Sequence, residues 1–189
     1  MSDIRRIVET KLWDIGSAIG RRFVASLSVE RHTGRLVRRL SRFEDRLQRY
    51  KATNPAHLHW FEASRHSQNG EDGIIAEIFR RIGTRSRFFV EIGAADGAEN
   101  CTAALVDEDW QGVWVEGDPD KAAAARRLVA SRRVEVCHAF VDCETILPLL
   151  DTANVPQEVD LLVLDIDGND YWILERIGTR LRPRVMVLE

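Results

Sequence analysis

Three hydrophobic runs in this chain end in acidic residues, and each ending is a candidate for chemistry. Phe88-Phe89-Val90-Glu91-Ile92 leads into Gly93-Ala94-Ala95-Asp96-Gly97, Gly112-Val113-Trp114-Val115 ends in Glu116, and Leu161-Leu162-Val163-Leu164 ends in Asp165-Ile166-Asp167-Gly168-Asn169-Asp170. A glycine-bearing turn after a strand lets a nucleotide-like ligand approach the backbone closely, because glycine lacks a Cβ and tolerates positive φ. Glu116, about twenty residues beyond that turn, is spaced to accept hydrogen bonds from both hydroxyls of a ribose. The pair predicts an adenosine-type cofactor site. A dinucleotide would need G-x-G-x-x-G and a helix N-terminus aimed at its pyrophosphate. This chain has G-x-A-x-G instead, with Glu91 two residues ahead of the first glycine, and a carboxylate there repels a pyrophosphate and suits a cation.

S-adenosylmethionine is an adenosine that carries two such charges, a sulfonium and an ammonium. Its expected contacts are Glu91, Gly93, Ala95, Asp96, Gly97, Glu116 and Asp118, with Asp142 accepting from the adenine amino group or, alternatively, capping a helix ahead of Thr145 and Ile146. Methyl transfer from a sulfonium is an in-line displacement that asks mainly for positioning and desolvation. An alcohol acceptor also needs a base or a metal to take its proton. Asp165 and Asp167 are the candidates to orient or deprotonate that acceptor. Together with Asp170 they could instead hold a divalent cation through oxygen ligands, the less favoured use, or Asp165 and Asn169 could simply cap the turn and the next helix. The same string imitates a D-x-D-G-T phosphatase opening, but too few residues follow Asp170 for that fold, and an EF-hand loop would need its glycine at the sixth position.

Strands and helices that alternate supply the frame for these residues. Strands are predicted at about 87–92, 112–116, 134–140, 159–164 and 184–188. Helices are predicted after a cap near Asn100, from Asp118-Pro119-Asp120, around 144–151 and from about Asn169. Such alternation means βαβ units and a parallel sheet, an α/β fold of Rossmann-like type. Every acidic residue singled out above then falls at the carboxyl ends of the strands, where open α/β sheets bind ligands. Ahead of the sheet, Ser67-Gln68-Asn69-Gly70-Glu71-Asp72 precedes Ile74, Ile75, Ile78, Phe79 and Ile82 at helical spacing, a capped helix with acids in its first turn.

The 189 residues are enough for one domain of ordinary size plus an appendage, and 44% hydrophobic with 30% charged residues is a globular composition. Cys101, Cys137 and Cys143 follow neither a zinc spacing nor a disulfide framework. Residues 1–50 hold 12 Lys+Arg against 6 Asp+Glu, and the rest holds 15 against 24. The predicted domains are therefore a basic amphipathic arm, 1–55, and an acidic body, 56–189, joined near Asn54-Pro55. The arm reads as two helices, Ile4 to Phe23 and Leu36 to Leu47, broken near His32-Thr33-Gly34. They could dock on an anionic membrane or a partner, while packing on the body or on a second copy is the plainer use. An acidic body without a basic stripe interleaved with aromatics argues against nucleic acid. No run reaches a membrane span and no leader is visible, so the cytoplasm is the expected compartment, with peripheral membrane contact through the arm.

Residues 66 to 189 resemble the FkbM-like group of class I S-adenosylmethionine-dependent methyltransferases. Ser67-Gln68-Asn69-Gly70-Glu71-Asp72 looks like its S-Q-x-G-E-D segment, Glu91 to Gly97 its first motif, Glu116 with Pro119 its ribose-binding strand end, and Asp165 to Asp170 its D-x-E/D-G-x-E/D segment. The resemblance implies O-methylation of a sugar, glycan or polyketide hydroxyl. Pro119 stands two residues later than in the family's E-P pair. A full class I sheet has seven strands ordered 3-2-1-4-5-7-6, so a sheet of five in the order 3-2-1-4-5 is expected here, with the last two absent. The alternative expectation is a degenerate, non-catalytic module that assembles with a partner through its arm and open sheet edge.

Overall fold

The computed structural model describes residues 33–53 and 56–188. They fall into two compact units, one drawn from Met1–Arg65 with Asn69–Ile78 and the other from His66–Gln68 with Phe79–Glu189. The first arm helix and the predicted joint at Asn54-Pro55 lie outside the described residues.

In the first unit, the second arm helix is α1, Thr33–Thr53. The Tyr50 ring meets Trp60, in the 3-10 turn Leu58–Phe61, edge-on at 5.1 Å. Helix α2, Glu71–Ile82, belongs to this unit as far as Ile78 and opens with Glu71 and Asp72 in its first turn, where carboxylates offset the helix dipole. The backbone N–H of Asn69 donates to Glu71 (3.0 Å) and that of Arg65 to Asp72 (2.7 Å).

The second unit is a wholly parallel sheet. Its strands are β1 (Phe88–Ile92), β2 (Gln111–Glu116), β3 (Val134–His138), β4 (Glu158–Leu164) and β5 (Arg182–Leu188). Between them run α3 (Ala103–Asp107), α4 (Pro119–Leu128), α5 (Ile146–Thr152) and α6 (Asp170–Ile177). The spatial order is β3-β2-β1-β4-β5. This reversal at β1/β4 is the switch point beside which doubly wound sheets bind ligands.

Burial on both faces explains the nearly continuous apolar runs. Val90, Ile92, Val113, Val115, Leu162 and Leu164 form one buried cluster with Ile146 and Leu150 of α5 and Ile173 and Ile177 of α6. Phe89, Trp114 and Leu161, one residue out of phase, are buried on the opposite face.

Some boundaries differ from the sequence reading. Strand β5 begins at Arg182, which pairs with Glu158, and so includes Pro183. An edge strand tolerates proline because the missing N–H need not cost a ladder bond. Among the described residues β5 pairs only with β4, and Met186 and Leu188 are exposed there. Asn100 does not cap a helix: α3 starts at Ala103, with Thr102 in the capping position. Cys101, Cys137 and Cys143 are free thiols, and no described helix is long and apolar enough to cross a membrane.

Candidate active site at the carboxyl ends of the strands

Glu116 ends β2 and ties two loops to the sheet. Its Oε2 accepts from the N–H of Ala95 (2.7 Å) and its Oε1 from the N–H of Asp118 (2.8 Å). The glycine turn is fastened to the same strand, since Gly93 and Ala94 both donate to the Val115 carbonyl (2.9 and 3.2 Å). Glycine is required at 93 by the neighbouring strand end: φ is +90°, and a Cβ would stand 1.8 Å from the Asp165 carbonyl oxygen. Gly97, at φ +81°, lies against the Trp114 ring, which a Cβ would approach to 2.5 Å. Asp96 is exposed and accepts from the N–H of Ala98 (3.0 Å), closing the turn on itself.

Glu91 is buried, and its carboxylate holds the start of α3. Oε1 accepts from the N–H of Cys101 (3.0 Å), and Oε2 accepts from the N–H and the hydroxyl of Thr102 (3.2 and 2.5 Å). The Trp114 indole N–H in turn donates to the Thr102 oxygen (2.7 Å). Trp114, Thr102 and Glu91 are all buried, so this chain of bonds crosses from β2 to β1 out of contact with water. Burial, aided by the negative charge of Asp165 and opposed by those bonds, lifts the Glu91 carboxyl to about 7. Thr102→Val keeps the shape but leaves the indole N–H without an acceptor. The expected loss is about 2 kcal/mol in urea unfolding; a loss below about 0.5 kcal/mol would show that the chain of bonds contributes little.

The remaining aspartates differ in what holds them. Asp118 caps α4, accepting from the N–H groups of Asp120 and Lys121 (2.8 and 3.1 Å), with Pro119 at the first helical position. Those bonds, that to Lys121 foremost, keep its carboxyl below the ordinary range. Asp142 behaves similarly: Oδ1 accepts from the N–H groups of Glu144 and Thr145 (2.8 Å each) and from the Thr145 hydroxyl (2.9 Å), which lowers its pKa. These bonds, all on one oxygen, close the turn ahead of α5, whose capping position is held by Thr145. At the end of β4, Asp165 and Asp167 are exposed, with Asp167 at φ +54°. Asn169 occupies the capping position of α6 without a side-chain cap bond. Asp170, in the first turn of α6, ties down the loop before the helix, accepting from the N–H of Ile166 (2.9 Å) and of Gly168 (3.0 Å). Among the described residues no three His, Cys, Asp or Glu side chains stand together as a metal site.

Two features of this rim were not singled out from the sequence. Phe140, just past β3, is 83% exposed, yet its ring lies against Gly117, where a Cβ would come within 2.6 Å of it. Thr102, the hub of the buried bonds, carries no pattern that distinguishes it from any loop threonine. Trp172 and Tyr171, following the aspartates, are exposed and meet edge-on at 5.0 Å.

No family model matches the chain, and no curated protein does. Among solved structures it is similar to an inferred O-methyltransferase from Klebsiella pneumoniae (22% identity, 72% of this chain and 60% of that one, TM-score 0.47). It is also similar to the glycopeptide N-methyltransferase MtfA, solved with S-adenosyl-L-methionine (19%, 60% and 51%, 0.42). A third is the precorrin-6y C5,15-methyltransferase of Geobacter metallireducens (16%, 67% and 64%, 0.45). The chain therefore spans between half and two thirds of the length of these proteins. Its own parallel strands, ordered 3-2-1-4-5 with helices between them, make this a Rossmann-like fold.

Proposed function

We propose that this chain is the S-adenosylmethionine-binding core of a methyltransferase that acts on a hydroxyl of a sugar, glycan or related metabolite. The observation that carries the reading is Glu116: a carboxylate at the end of β2, partly buried and joined to the glycine turn through Ala95. Each of its oxygens accepts one backbone N–H and keeps a further lone pair, which matches the two hydroxyls of a ribose.

The surrounding residues fit an adenosine cofactor. Gly117 admits the Phe140 ring beside Glu116, giving an exposed aromatic surface on which a purine can stack. Asp142, with its local bonds on Oδ1, retains Oδ2 as an acceptor for the purine amino group. Gly93, Ala95, Asp96 and Gly97 shape the backbone that passes beneath, and Glu91 fixes where that loop enters α3. The cofactor supplies an activated methyl group, and the protein's part is to align it and exclude water. Asp165 or Asp167, exposed at the end of β4, would orient the acceptor hydroxyl or take its proton. The glycan or metabolite acceptor rests on the resemblance of the 67–72, 91–97 and 165–170 segments to FkbM-like enzymes.

Isothermal titration with S-adenosylhomocysteine tests the reading. The full chain should bind, and Glu116→Ala should weaken binding by about tenfold or more. No heat at high ligand concentration, or equal affinity in the variant, would overturn it. One observation favours the assembly module instead: the apolar side chains Met186 and Leu188 exposed on the β5 edge. An obligate oligomer by sedimentation, without cofactor affinity, would select that reading.

A further inference from the structure

At the amino ends of β4 and β5, opposite the rim described above, a half-open cavity of about 340 Å³ is lined by Arg85, Ser86, Glu158, Val159, Arg182 and Arg184. Three guanidinium groups around one hollow stand out in a body whose residues beyond 50 hold 15 Lys+Arg against 24 Asp+Glu. Part of the cluster serves the fold. Arg184 pairs with the buried Asp160 and donates to the carbonyls of Ile82 and Gly83. One Arg182 nitrogen donates to the carbonyls of Gly178 and Leu181 (2.9 and 3.0 Å). Both arginines thus satisfy carbonyls that helices leave orphaned at their ends.

That account does not reach Arg85 or Glu158. Asp160 takes the backbone N–H of Arg85 (2.8 Å) and so fixes the chain at the cavity wall, while the Arg85 guanidinium has no hydrogen bond or ion pair among the described residues. Glu158 stands directly across from Arg182 in the register of β4 and β5, yet the two side chains form no ion pair. The wall therefore presents a whole guanidinium fork at Arg85, the remaining nitrogens of Arg182, the Ser86 hydroxyl and one carboxylate. A guanidinium fork matches paired oxygens of an oxyanion, and a phosphate monoester has three such oxygens, enough to meet two forks and a hydroxyl at once. Glu158 repels the anion and accepts from a hydroxyl, so it favours a polyol that carries the phosphate over a bare phosphate ion. The volume is that of a small-molecule pocket.

We propose that this cavity binds a small phosphorylated polyol, with Arg85 and Arg182 on the phosphate and Glu158 on a hydroxyl. Arg184, committed to Asp160, holds the wall in place. The site is independent of the cofactor reading, since it lies at the other ends of the strands and shares no residue with the acidic rim.

Titration calorimetry on the full chain uses glycerol 3-phosphate as the probe, with inorganic phosphate and glycerol beside it. Glycerol 3-phosphate should bind about threefold or more tightly than inorganic phosphate, and glycerol should give no heat. Arg85→Ala should weaken glycerol 3-phosphate by about tenfold or more. The Arg85 side chain makes no bond within the fold, so the melting temperature of that variant should stay within about 2 °C of the wild type. Glu158→Ala should remove the preference for the ester, weakening glycerol 3-phosphate while leaving inorganic phosphate as tight or tighter. No heat from glycerol 3-phosphate at high concentration, or equal affinity in Arg85→Ala, would overturn the site. Equal affinity of the wild type for phosphate and its ester would overturn the assignment of the ligand.

Discussion

Asp160→Ala should destabilise the protein by about 4 kcal/mol, lowering its melting temperature by about 10 °C. Asp160 lies near the amino end of β4, fully buried between Val159 and Leu161. Its carboxylate accepts from the N–H groups of Arg85, Ser86 and Arg87 (2.8, 2.9 and 2.7 Å) and from the Arg184 guanidinium on β5 (2.7 Å). One side chain thus fixes the entry to β1 and the pairing of the edge strand. Burial alone would raise its pKa, but the Arg184 bond and the backbone N–H groups outweigh that and hold it below 3.8. Truncation leaves a partly buried guanidinium, 21% exposed, without its counter-charge and strands several N–H donors. Because its folded pKa is depressed, the stability it contributes is present above the unfolded value and lost as pH falls through the folded one, that is, below about pH 4. Urea unfolding at neutral pH measures the effect, and a change under 1 kcal/mol would refute this account. The candidate site lies at the opposite ends of the strands, so under the proposed function a variant that folds should bind S-adenosylhomocysteine as the wild type does.

Glu91 reverses the usual sign for a carboxylate. Its pKa rises on folding from 4.5 to about 7, mainly through burial, so between those values the native state holds a proton that the unfolded chain has released. Stability must then fall as pH rises through that window, by about 3 kcal/mol in total from this group. Glu91→Gln, which cannot ionise, should lack that slope. The comparison is one of slopes rather than absolute stabilities, since the amide places a donor where the carboxyl receives N–H groups from Cys101 and Thr102. Parallel profiles for wild type and variant between pH 4.5 and 7 would show that Glu91 is ionised throughout. The slope from Asp160 belongs to lower pH, so the two are separable in one titration.

Much of the fold was legible because it rests on local pattern. Apolar runs long enough for strands, broken by Asp118-Pro119 or by glycines, specify βαβ units. Positions of acids relative to strand ends follow from counting. What the pattern could not supply was the partner of each acid. Glu91, Glu116, Asp118 and Asp142 look alike as residues ending strands, yet one is sealed inside a chain of bonds with Thr102 and Trp114, one clamps two loops, one caps a helix and one closes the turn ahead of a helix. Asn169 had the residue type of a cap but makes no cap bond, while Asp170 ties down the loop before the helix. Asp160 passed unnoticed because it sits inside a strand that otherwise reads as wholly apolar, and its partners lie more than seventy residues earlier and twenty-four later.

Hydrophobic periodicity and turn chemistry, which act over a few residues, were thus enough to determine from the sequence alone that a parallel sheet would carry its acids along one rim. Which of those acids remain available to a ligand was decided only by tertiary structure. A carboxylate's burial and hydrogen-bond partners come from chain segments far apart in sequence, and those two quantities determine whether it serves the fold or the chemistry.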